Sequence, residues 1–150
     1  CALPIYGDAA MGFDQDKTTH HFTMSADGGA IAVSANEAAD ASSVGQVRQH
    51  LQDIAQAFKA GDFGKPLATH SELPPGVPDM QRLKGAITYP YTETAGGGVV
   101  RIQTANAEAR AAVYQFLSYQ VREHKTGDPQ TPPGAPAATA PPAPPAGRRP

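Results

Sequence analysis

HHFTMSADGGAIAV, residues 20–33, is the stretch whose periodicity decides the architecture. His20, Phe22 and Met24 alternate with His21, Thr23 and Ser25, Asp27-Gly28-Gly29 supplies turn residues, and Ile31 and Val33 resume the period of two. Such alternation around a glycine turn predicts a β-hairpin with one apolar face, and His20 shares that face. A half-apolar hairpin cannot stand alone in water, so the rest of the chain has to supply a covering layer.

Downstream, Ser43 and Gln46 have capping-box spacing, and Val44, Val47, Leu51, Ile54 and Phe58 trace a helical stripe that Gly61 closes. Residues 62–84 form a connection punctuated by Pro66, Pro74, Pro75, Gly76 and Pro78, and it contains His70 and Met80. A second hairpin is expected from Ala86 to Thr104, with Ile87, Tyr89 and Tyr91 on one strand, a Gly96-Gly97-Gly98 turn, and Val100 and Ile102 on the return. Pro90 lacks an amide donor and marks the first of these strands as an edge. Asn106 reads as an N-cap, and Ala109, Val113, Phe116, Leu117 and Val121 give a second helical stripe, closed by Gly127. Val47 to Leu51 lie 66 residues before Val113 to Leu117. The order is therefore ββα twice, and the expected fold is α+β: a ββα-ββα pseudo-repeat with a four-stranded antiparallel sheet and two helices on one face.

Of the 150 residues, the 22 from Pro129 onward hold nine of the fifteen prolines, so residues 129–150 are read as an extended, polyproline-like tail. Residues 1–16 show no period and read as a tether, leaving 17–128 as one α+β domain. The net charge of -2 and the absence of Lys/Arg clusters exclude a nucleic-acid footprint. No apolar run is long enough to span a bilayer. The single cysteine excludes an internal disulfide framework, and its position at residue 1 is where a bacterial lipoprotein carries its acyl chains.

MGFDQDKTTHHFTM, residues 11–24, together with Arg48-Gln-His-Leu51, Gly61-Asp-Phe63, His70, Pro74-Pro-Gly76, Met80 and Glu123-His-Lys-Thr-Gly-Asp128, resembles a largely uncharacterised family of short exported bacterial proteins. At Tyr114 many such relatives are expected to carry histidine. Some are labelled aspartate carbamoyltransferase, but this chain is too short for two ligand domains and has no Ser-Thr-Arg phosphate loop. The resemblance implies an extracytoplasmic location, on the periplasmic face of a bacterial membrane.

The histidines are the constellation with chemical content. His20 on strand one, His50 on the first helical stripe and His124 on the second point to one layer, with His70 and Met80 in the connection. Neutral imidazole binds copper, zinc, nickel or iron, and a thioether favours copper(I), so His20, His50, His70, His124 and Met80 form one candidate set for copper or haem iron. The spacing carries no HxxxH or HExxH, and the alternative is that each is a hydrogen-bonded residue at the rim of a small core. No Gly-x-Ser-x-Gly elbow is present, the triple glycine precedes a strand and not a helix, and Asp14 and Asp16 read as a solvated turn. The chain is therefore expected to be non-catalytic: an accessory lipoprotein, held to a membrane through Cys1, that docks a protein partner through Tyr89 and Tyr91 and through tail prolines such as Pro132, Pro133, Pro141 and Pro142; the alternative for the two tyrosines is ordinary cross-strand packing. The rival is a small periplasmic metal-handling protein that uses His20, His50, His70 and His124 to hold copper or haem iron.

Overall fold

The computed structural model describes residues 15–64 and 73–134. Among them the fold is α+β, with a five-stranded antiparallel sheet and three helices: β1 (Thr18–Ser25), β2 (Gly28–Ala35), α1 (Ala41–Lys59), α2 (Val77–Arg82), β3 (Ile87–Thr88), β4 (Tyr91–Thr94), β5 (Gly97–Thr104) and α3 (Ala107–His124). The strand order is β1-β2-β5-β3, with β4 also pairing with β5.

Where four strands were expected, the sheet has five. The edge strand is interrupted at Tyr89-Pro90, because proline has no amide to donate. The interruption does not detach it: the Pro90 carbonyl accepts from the Arg101 amide at 2.9 Å, and pairing with β5 resumes at Tyr91↔Val100. The turns are also tighter than expected. Ala26-Asp27 and Ala95-Gly96 connect the strands, while Gly28, Gly29, Gly97 and Gly98 all lie within strands.

Two of those glycines explain how the helices reach the sheet. A β-carbon on Gly29 would stand 2.3 Å from Leu117 Cδ1, and one on Gly98 would stand 3.1 Å from Leu51 Cδ1. Gly29 faces Ile102 and Gly98 faces Val33 across the central β2–β5 ladder, so α1 and α3 cover the same face. The core between the layers contains Phe22, Ile31, Val33, Val100 and Ile102 from the sheet, with Val47, Leu51, Ile54 and Phe58 from α1 and Val113, Phe116, Leu117 and Val121 from α3.

Helix ends are set by local polar chemistry. α1 begins three residues before the expected capping box: Asp40 is the N-cap, accepting from the Ser43 amide at 3.2 Å and the Ser43 hydroxyl at 2.6 Å. Asn106 caps α3 as expected, accepting from the Ala109 amide. α3 ends at His124, with Lys125 in the left-handed region, ahead of the glycine expected to stop it. The proline-rich connection carries α2, which starts from Gly76 packed against the Ala112 carbonyl and places Arg82 beside Glu108.

A histidine cluster under the edge strand

Three of the predicted residues do come together. β1 turns His20, Phe22 and Met24 toward the helices, and the last turn of α3 lays His124 against them. The His124 ring stacks on His20 at 5.4 Å between centroids and sits 5.1 Å from Phe22. His50, on the inner side of α1, is 4% exposed and close enough for its charge to act on His20. Burial pushes the pKa of His20 down from 6.5 to about 4, and the neighbouring imidazoles of His124, His50 and His21 push it in the same direction. His20 is thus neutral at pH 7, offering one ring donor and one ring acceptor.

A fourth member was not anticipated. Gln120 is 4% exposed, and its side-chain nitrogen has no hydrogen-bond acceptor among the described residues. It lies one turn before His124 and one turn after Phe116, on the same face of α3. That spacing was legible in the sequence; the polar residue type hid it within an otherwise apolar stripe.

The other candidates fall elsewhere. Met80 is fully buried under the first turns of α3, since α2 runs from Ala112 to Glu108. His124 lies twelve residues beyond Ala112, about 18 Å along the helix at 1.5 Å per residue, so Met80 cannot share an ion with it. His70, Cys1, Pro141 and Pro142 lie outside the described residues. Among the described residues, no three histidine, cysteine or acidic side chains are arranged to hold a metal ion, and no helix is long and apolar enough to cross a membrane.

Tyr89 and Tyr91, expected to meet a partner at the sheet edge, instead turn under α1. Tyr89 is 7% exposed with its ring edge-on to Phe58 at 5.7 Å, and Tyr91 packs beside Gly98. Both hydroxyls are buried, and burial raises the pKa of Tyr89 above the ordinary range. The strand alternation that makes Ile87 inward makes these two inward as well. Pro132 is half-buried and Pro133 exposed.

β1 is the edge of the sheet opposite β3 and β4, and the chain leaving α3 closes part of it. The Asp128 carboxylate accepts from the Phe22 amide at 3.0 Å and from His21 Nδ1 at 3.0 Å. Burial by itself would raise the Asp128 pKa, but hydrogen bonds from Thr126, the Phe22 amide and His21 outweigh it and hold the carboxyl below its usual range. A depressed carboxyl stabilises the fold above its unfolded pKa, and that contribution disappears as the pH falls through the folded value. Asp128→Ala is expected to cost about 1 kcal/mol at pH 7 and to speed exchange of the Phe22 amide. Unchanged exchange at Phe22 would mean that the carboxylate does not protect the edge.

These features define a two-layer α+β domain with a polar cluster under one sheet edge, buried at His50 and Gln120 and half-buried at His20 and His124. No protein family, curated protein or solved structure matches the chain.

Proposed function

We propose that the chain is a non-catalytic extracytoplasmic binding module, an accessory subunit of a membrane-associated or periplasmic complex that presents its proline-rich segment as a docking arm. The observation that carries this reading is the attachment of Asp128 to β1, because it fixes where the arm departs. The next residues continue beside α3, where Gln130 meets Ser118 next to a groove lined by Pro75, Tyr114, Gln115 and Arg122. An arm launched from a fixed point, and stiffened by proline, loses less entropy on docking than a flexible one. The resemblance of residues 11–128 to exported proteins supports the extracytoplasmic setting, and attachment of acyl chains to Cys1 belongs to the same proposal.

Deletion of residues 135–150 is expected to reduce co-purification with the partner from detergent-solubilised membranes at least about tenfold, a loss of about 1.4 kcal/mol of binding. The melting temperature should stay within about a degree. Equal recovery of the partner would end the arm reading, and intact mass of the membrane-extracted protein reads acylation of Cys1 directly.

We further infer that the two halves are a ββα pseudo-repeat. Thr18↔Ala35 and Ile87↔Thr104 are paired in the same register, their members 69 residues apart (87 minus 18, 104 minus 35). The helices correspond at the 66-residue spacing of Val47 and Val113, the difference falling in the strand-to-helix connection.

A further inference from the structure

We propose that His20, His50, His124 and Gln120 form a binding site for a compact oxyanion, such as a small carboxylate, taken up together with a proton.

The first support is a comparison the molecule makes with itself, and it rests on the pseudo-repeat reading. At the spacing of the two hairpins, His20 corresponds to Tyr89. At the spacing of the two helices, His124 corresponds to Phe58, His50 to Phe116 and Gln120 to Ile54. At that other end the corresponding residues close the core as an aromatic and aliphatic plug, with Phe58 5.7 Å from both Tyr89 and Phe116. The matching His20–His124 contact is 5.4 Å. The same backbone frame thus accepts an apolar filling, yet one end carries three imidazoles and an amide. His50 and Gln120 are buried and His20 and His124 half-buried, and buried polar groups are costly relative to apolar residues of similar volume, so a polar filling calls for a use other than stability.

The second support is the chemistry of the four groups. The Gln120 amide donor is buried without an acceptor among the described residues. Positive charge on His20 is opposed by His124 from α3, by His50 from α1 and by His21 from its own strand. The acidic residues carried by the same elements are Asp53 on α1, Glu108, which pairs with Arg82, and Glu123 on α3 and, beyond α3, Asp128, which is engaged by His21 and the Phe22 amide. An oxyanion supplies acceptors to the amide and to ring N–H groups. Its charge also converts the mutual repulsion of the imidazoles into attraction, so one of them takes up a proton as the anion binds. Atoms and charge balance: one anion and one proton enter and no covalent bond changes. A metal ion would show the opposite pH dependence, because protons compete with it for the ring nitrogens.

The test is titration of the full chain with sodium sulfate and with sodium acetate at pH 5.5 and pH 7.5, at ionic strength held constant with chloride. The readouts are the imidazole resonances and the melting temperature. Saturable shifts of His20 and His124 are expected, with sulfate binding about tenfold or more tighter at pH 5.5, as linkage to one proton permits when the bound imidazole is protonated across most of that range. Gln120→Leu and His124→Phe should each abolish the saturable shift and raise the melting temperature at pH 5.5. No saturable shift in the wild type would overturn the proposal, as would shifts equal in both variants. So would affinity confined to zinc or copper(II) chloride and weakening toward acid, which would assign the cluster to a metal. If the variants unfold while the wild type still binds with the expected pH dependence, the pseudo-repeat comparison fails and the site stands.

Discussion

Phe58→Ala is expected to destabilise the domain by about 4 kcal/mol, the range found when a fully buried aromatic ring is emptied. The Phe58 side chain is 1% exposed and lies against Phe63 at 4.4 Å, with Tyr89 and Phe116 edge-on at 5.7 Å. These three come from the loop after α1, the broken edge strand and α3, so the ring is where separate parts of the chain meet. Removing it leaves a cavity that no single element can collapse into. With total stabilities of small domains at about 5–15 kcal/mol, the variant should be close to unfolding at 37 °C. Urea denaturation of wild type and variant reads the difference directly. A loss under about 1.5 kcal/mol would show that the aromatic end is loosely packed.

Acidification from pH 7 to pH 4 is expected to lower the unfolding free energy by on the order of 3 kcal/mol through His20 alone. Its folded pKa of about 4 lies below the unfolded value of 6.5. Between those values the unfolded chain binds the proton and the folded chain does not, so stability is complete above pH 6.5 and declines as the pH falls toward 4. Asp128 does not contribute in the upper part of this window, because its carboxyl is held below its usual range and is lost at lower pH. Two measurements check this: the imidazole shift of His20 against pH, and the denaturation midpoint of wild type and His20→Phe at pH 7, 5.5 and 4. The variant should lose most of the slope between pH 6.5 and pH 4. An unchanged slope would assign acid sensitivity to another group. If the cluster binds oxyanions, sulfate should flatten the wild-type slope and leave the variant unaffected.

Several features were legible because they are local. Alternation at His20–Val33 and around Val100–Ile102 specified strands, and the 3.6-residue stripes of Val47–Phe58 and Val113–Val121 specified helices, since side-chain periodicity follows from backbone geometry alone. Asn106 was legible as a cap for the same reason. The errors were local competitions won by a neighbour. Asp40 took the cap expected at Ser43, and two-residue turns left the glycines inside strands, where the helices need room. For Tyr89 and Tyr91 the sequence left two readings, docking of a partner at the edge that Pro90 marks and ordinary cross-strand packing, and the structure places both rings on the inner face of the edge strand.

The sequence by itself determined the two hairpins, the two long helices and the α+β class, because these depend on residues a few positions apart. Only the tertiary structure decided that His20, His50 and His124 come together, with Gln120 one turn before His124, because that depends on the β2–β5 register, in which Ile31 meets Val100. That register places α3 across Gly29 and α1 across Gly98, and so brings the end of α3 beneath β1. It likewise carried Asp128 across 106 residues of chain to the Phe22 amide. No local pattern encodes such a meeting, because its energy belongs to contacts that exist only after the layers have packed.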